Sequence, residues 1–203
     1  MLLRSVRLAT AVALVATVFT NLGMNLVDPP EGFTVANYFS YFTIVSCLGA
    51  AVVLFLEGMG RRVDARWRGG VTLMMTVTMV VYVVLLSGLV FTITEAAEVR
   101  LWVDVVLHYL GPVVILADWV VDPPTAAIDR RTVLWWLAFP AAYLGYSLVR
   151  GLVVGWFPYP FLDPAIVGWG GVAAWSVAIA FAVVAMAAGV GILGRVRPPA
   201  VAT

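Results

Sequence analysis

Long apolar stretches alternate with short polar breaks along the whole chain. Six stretches of roughly 20 residues stand out, at 7–25, 37–58, 70–93, 101–121, 132–154 and 165–193, each long enough for a helix to cross a bilayer. The breaks hold the charges and turn formers: Asp28-Pro29-Pro30-Glu31-Gly32, the basic loop with Arg61, Arg62, Arg66 and Arg68, the acidic pair Glu95 and Glu98, Asp122-Pro123-Pro124, and Asp129-Arg130-Arg131. Transmembrane strands would show segments of about 10 residues with alternating polarity, and these are absent. In hydrocarbon a backbone must satisfy its own hydrogen bonds, so the spans are predicted to be helices. The fold expected is therefore all-α: a polytopic membrane protein with six transmembrane helices in one bundle. Neither repeat nor linker divides it, so residues 1–197 read as one domain and 198–203 as a short frayed tail.

Two stretches need a closer look. Arg4 and Arg7 before the first apolar run resemble a signal peptide. The run is longer than such a core, and no small-x-small cleavage site follows, so it reads as a retained anchor. The loop GWFPYPFLDP, 155–164, is rich in proline and aromatics and reads as an ordered interfacial cap. The last stretch is long enough to tilt or to include a short interfacial piece.

Composition sharpens the class. Hydrophobic residues make up 63% of 203 positions and charged ones 11%, with a mean hydropathy of +1.03, which no soluble domain of this size matches. The net charge of +1 says little, but the placement of the charges says more. Ten of the twelve arginines fall on one side of a six-span chain, with Arg100 in an opposite loop and Arg150 near that end of span five. The positive-inside rule then puts both termini in the cytoplasm. There is no lysine, which excludes a retinal Schiff base. The single Cys47 excludes an internal disulfide and a cysteine-held metal. One histidine excludes a bis-histidine haem and makes a zinc hydrolase site improbable, so neither metal nor other cofactor is expected, and no nucleic-acid partner.

That histidine directs the search for chemistry. The span 101–121 carries Asp104, His108 and Asp118, and the other five spans are expected to gather around it. Ionisable groups inside a span are costly and mark sites. Thr43 lies roughly 9 Å below the outer end of span two, His108 roughly 10 Å below that of span four, and Arg150 roughly 6 Å from the same face. All three therefore share one layer of the outer leaflet. Asp104 and His108 are four apart and lie on one helix face, where the carboxylate can orient the imidazole. Ser40, Thr43 and Cys47 share a face of span two. A threonine hydroxyl facing an imidazole is a nucleophile with its base, and Asn37, Ser40, Tyr146 and Arg150 complete a set that can orient groups or bind substrate. Each residue also has a plainer reading. Thr43 can back-bond to the carbonyl of Phe39, Arg150 can snorkel to headgroups, Asp104 can sit at the interface, Asp118 can pair with a loop arginine, and Tyr82, Tyr143 and Tyr146 can form an aromatic belt.

Three fragments carry a resemblance: NYFSYFTI at 37–44, LHYLGPV at 107–113 and YPFLDP at 159–164. Together they resemble the androgen-induced protein family of integral-membrane threonine hydrolases and its bacterial six-span relatives. The resemblance implies that Thr43 is the nucleophile, that His108 is its catalytic partner, and that Tyr159-Pro160-Phe161-Leu162-Asp163 forms the loop before the last span. It also implies a bacterial cytoplasmic membrane, a substrate drawn from membrane lipid, and esters of the type formed between fatty acids and hydroxy fatty acids. The segment SLVRG around Arg150 departs from the animal pattern. The expectation is a hydrolase of lipid esters with its active site toward the outer leaflet. Its rivals are a non-catalytic lipid- or sterol-binding protein and a small proton-coupled transporter, the latter opposed by the lack of paired, glycine- or proline-broken spans.

Overall fold

A computed structural model describes residues 1–87 and 97–195, the side chains of 97–100 excepted. The predicted end of span three after residue 87, Glu95, Arg197 and the tail lie outside the described residues. All described elements are helical: α1 (Leu2–Val27), α2 (Val35–Tyr38), α3 (Phe42–Gly58), α4 (Ala65–Val81), α5 (Ala97–Asp104), α6 (Gly111–Val121), α7 (Arg130–Val154) and α8 (Pro164–Leu193). A π turn, Tyr82–Leu86, continues α4, and a second, Val105–Leu110, joins α5 to α6. Five of these helical stretches are long and apolar enough to cross a membrane, and α3 is a shorter apolar helix of 17 residues.

Local chemistry sets the boundaries. Thr34, Asp64, Asp129 and Asp163 accept hydrogen bonds from the first-turn amides of α2, α4, α7 and α8, meeting the need of orphan N–H groups at helix starts. Helix α7 ends on Gly155 in the left-handed conformation, φ 69°, where a side chain would be strained. Gly168, φ 67°, kinks α8 and separates its first turn from the rest, so the long last stretch does contain a short leading piece.

Helix α1 buries a stripe of Arg7, Ala11, Leu14 and Val18 against α3 and exposes Val12, Val15 and Phe19. This is the pattern of a helix with one protein face and one lipid face. Small residues Cys47, Ala50 and Ala51 line α3 within the core, letting helices approach closely as membrane bundles require. The centre belongs to α4 rather than to the span 101–121: α4 touches α3, α6, α7 and α8, and 56% of its most apolar window is buried against 33% for that span.

The second predicted span is not continuous. After α2 the chain breaks at Phe39–Tyr41 and restarts as α3 with Tyr41 extended, ψ 134°. The break is held by side chains from elsewhere. Tyr143 donates to the Ser40 carbonyl at 2.8 Å, and Tyr159 accepts from the Phe42 amide at 3.1 Å.

At the other end of the bundle Arg7 and Arg68 are 6% and 3% exposed. They pair with Glu57, Asp118 and Asp122: Arg7 Nε to Asp118 at 2.6 Å, Arg7 Nη2 to Asp122 at 2.7 Å, and Arg68 Nη2 to Asp118 at 2.9 Å. Glu57 lies 3.1 Å from Arg7 and 3.3 Å from Arg68. Asp118 thus pairs with Arg68, one of the arginines assigned above to the basic loop and here part of α4, and also with Arg7 of α1. Burial tends to raise the Asp122 carboxyl, but the hydrogen bond from Arg7 and the charges of Arg68, Arg7 and Arg62 outweigh it and hold the group below its ordinary value.

Candidate active site

Thr43 occupies the first turn of α3, so the break before the helix fixes its position. Its Oγ1 lies 3.3 Å from His108 Nε2. His108 sits within the π turn of 105–110, which is closed by the Gly111 amide donating to the Val106 carbonyl. Pro112 follows four residues after His108 and has no N–H to give to the His108 carbonyl, so the sequence itself disfavours a regular α turn here. Single π turns inside α-helices occur often at functional sites.

The second π turn faces the first. Tyr82 opens it and stacks on His108, with ring centroids 3.8 Å apart and planes 13° apart. Asp104 Oδ1 lies 3.5 Å from His108 Nδ1, which is ion-pair distance and too long for a good hydrogen bond; Nδ1 itself has no hydrogen-bond partner. The Tyr82 hydroxyl also faces Asp104. Thr43, Asp104, His108, Tyr82 and Tyr159 all line one cavity of about 460 Å³, walled on the α1 side by Asn21 and Asn25.

Ser40, Asn37, Tyr146 and Arg150 form a second group that does not line this cavity. Arg150 Nη2 donates to Asn37 Oδ1 at 2.6 Å, and its guanidinium lies 4.9 Å from the centre of the Trp156 ring. Trp156 in turn packs edge-on against Tyr41, a wall of the cavity. Ser40 Oγ and Tyr146 Oη are 2.8 Å apart, and Ser40 also donates to the Ala36 carbonyl at 2.6 Å. These contacts brace the α2–α3 break from the outside. The sequence therefore names two clusters as one: three of its candidates meet at the cavity, and the other four hold the break that places Thr43.

Tyr159 links the two. Its hydroxyl accepts from the Phe42 amide and faces the hydroxyls of Thr43 and Tyr143, while burial pushes the phenol well above its ordinary value. In the sequence Tyr159 falls in the YPFLDP loop with no role of its own, and Tyr82 reads as an aromatic-belt residue. Nothing in the pattern separates an aromatic that stacks on a histidine from one that faces lipid. Cys47 is buried, its thiol near the Leu107 carbonyl. Among the described residues no group of three His, Cys, Asp or Glu side chains is placed to hold a metal.

Chemically the arrangement offers a hydroxyl, an imidazole that can accept its proton, and a carboxylate on the far side of that imidazole. Searches for relatives return no matching protein family, no matching curated protein and no matching solved structure.

Proposed function

We propose that this protein is an integral-membrane hydrolase of lipid carboxylic esters, with Thr43 as nucleophile and His108 as general base. The observation that carries the reading is the 3.3 Å contact between Thr43 Oγ1 and His108 Nε2 inside a cavity. With its proton on Nδ1, beside Asp104, the imidazole has Nε2 free to accept the threonine proton. Thr43 Oγ1 attacks the ester carbonyl carbon, and the proton moves to Nε2. The same proton then passes to the leaving alcohol as the C–O bond breaks, and water, deprotonated by His108, hydrolyses the acyl-threonine. Arg150, bonded to Asn37 and set against Trp156 behind Tyr41, supports the break that places Thr43 rather than touching the substrate.

The same reading takes the chain as six spans. Helix α3 of 17 residues rises about 26 Å, and α2 with the break completes the crossing. Both termini lie in the cytoplasm of a bacterial cell, and the reactive pair opens toward the outer leaflet. The motif resemblance to threonine hydrolases supports the assignment of Thr43 and His108, with esters of fatty acids and hydroxy fatty acids as the substrate class.

The test is labelling of purified protein by a fluorophosphonate probe, comparing wild type, Thr43→Ala, Thr43→Ser and His108→Ala. Labelling of wild type and Thr43→Ser, lost in the two alanine variants while they remain folded, is the expected result. Equal labelling of Thr43→Ala, or lipid binding by the wild type without any ester turnover, would favour a non-catalytic lipid-binding protein instead.

A further inference from the structure

Acyl transfer needs a part beyond a nucleophile, a base and an orienting carboxylate. When Thr43 Oγ1 bonds to an ester carbon, the carbonyl oxygen on that carbon becomes an anion. A hydrogen-bond donor fixed beforehand at that point stabilises the charge without reorganising during the reaction. Such a donor must lie beside Oγ1, because the oxyanion sits on the carbon that Oγ1 has just joined.

Four tyrosines line the cavity: Tyr38, Tyr41, Tyr82 and Tyr159. Tyr38 gives its proton to the Val18 carbonyl at 2.6 Å, and the Tyr82 hydroxyl faces Asp104. Tyr41 packs edge-on against both Trp156 and Tyr159. Tyr159 has a different set of partners. Its oxygen takes the Phe42 amide proton at 3.1 Å, from the residue directly before Thr43, and its hydroxyl faces that of Thr43. An amide donating into the phenol oxygen polarises the O–H bond and strengthens it as a donor. That amide belongs to the first turn of α3, so the partial positive charge of the helix end reaches the site through the phenol. At rest the Tyr159 proton can turn to the Tyr143 oxygen, since Tyr143 gives its own proton to the Ser40 carbonyl at 2.8 Å. The Tyr159 ring cannot drift. It stacks on Phe161 with centroids 5.2 Å apart and planes 9° apart, and its carbonyl accepts from the Leu162 amide at 3.0 Å.

We propose that the Tyr159 hydroxyl is the oxyanion donor of this site, turning into the cavity to hydrogen-bond the carbonyl oxygen as Thr43 adds to the ester carbon. The proposal rests on the hydrolase reading for the reaction, and on the Phe42, Tyr159 and Thr43 geometry for the donor. As the bond from Oγ1 to carbon forms, the carbonyl π pair moves onto oxygen and the threonine proton passes to His108 Nε2. Tyr159 keeps its proton and shares it with the new anion. When the pair returns to re-form the carbonyl, the C–O bond to the leaving alcohol breaks.

The experiment compares wild type, Tyr159→Phe, Tyr143→Phe and Tyr41→Phe in detergent. The substrate is para-nitrophenyl octanoate, and the ligands are two alkyl ketones of equal chain length. A trifluoromethyl ketone adds Thr43 Oγ1 and then carries an oxyanion, whereas the matched methyl ketone stays planar. Tyr159→Phe is expected to lower kcat about 10²–10³-fold with KM little changed. It is also expected to weaken the trifluoromethyl ketone by a similar factor while the methyl ketone binds as before. Tyr143→Phe, which loosens the break before α3, is expected to act on both ketones alike. Equal loss of the two ketones in Tyr159→Phe, no loss of either, or a selective loss in Tyr41→Phe instead overturns the proposal. If Tyr159→Phe does not fold, replacing Tyr159 by fluorotyrosine keeps the ring and strengthens the hydroxyl as a donor. The trifluoromethyl ketone must then bind tighter relative to the methyl ketone, and an unchanged ratio overturns the proposal. The hydrolase reading fails by a different result: wild type that leaves the ester intact and forms no adduct at Thr43, or Thr43→Ala that turns the ester over at the wild-type rate.

Discussion

An imidazole is expensive to bury in an apolar span, and His108 stands 3.3 Å from Thr43 Oγ1 at a cavity that both line. Arg150, singled out with them by its position along its span, does not reach that cavity. Its guanidinium holds Asn37 and Trp156 one aromatic layer away. Depth along a helix axis says nothing about which way a side chain points around it. Close-packing residues were silent for the same reason. Gly69 lets the Trp136 ring lie where a side chain at 69 would be, and Trp136 is 1% exposed and packed edge-on against Trp119. Gly69→Ala is therefore expected to destabilise the bundle by about 1–3 kcal/mol, read as a lower midpoint in thermal unfolding in detergent. An unchanged midpoint would mean that the tryptophan pair has room to move.

Most helices follow from hydrophobic runs and their caps, and α1, α7 and α8 agree with the predicted spans to within a few residues. The irregular elements were harder to read. Residues 37–42 contain neither glycine nor proline, and the break before α3 is imposed by tyrosines from α7 and the following loop, which no local pattern announces. The π turn at His108 left one trace, Pro112. Pro112→Ala supplies an amide able to bond to the His108 carbonyl and favours a regular α turn. The expected outcome is loss of about tenfold to a hundredfold in the rate of fluorophosphonate labelling at Thr43, with thermal stability kept or raised. Labelling at the wild-type rate would show that the turn does not set the imidazole's position.

Across the whole molecule two polar layers stand at opposite ends of the bundle, and α3 and α6 connect them. From Thr43 to Glu57 is about 21 Å along α3, and from His108 to Asp118 about 15 Å along the other span. The outer layer and a partner for Asp118 among the loop arginines were legible in the sequence, but not the turn of Arg7 into the bundle or the burial of Glu57 between both arginines. Removing one member of such a cluster strands its partners: Asp118→Asn is expected to cost about 3–5 kcal/mol, seen in thermal unfolding with Thr43 labelling intact at low temperature. Acid should act on the same cluster. The Asp122 carboxyl lies lower in the folded protein than in the unfolded chain, so its contribution is fully present above the ordinary aspartate value of about 3.9. It is lost as pH falls through the folded value. An unfolding midpoint that does not drop on acidification below about pH 4 would contradict this. The π turns carry a consequence at this scale too. Each holds one residue more than an α turn, and one residue is about 100° of rotation around a helix. The turn at 105–110 therefore sets the angular phase of everything after it. Deleting a single residue there would displace His108 and also swing Asp118 out of the ion cluster at the far end, so an indel in this span would unmake both ends of the protein at once.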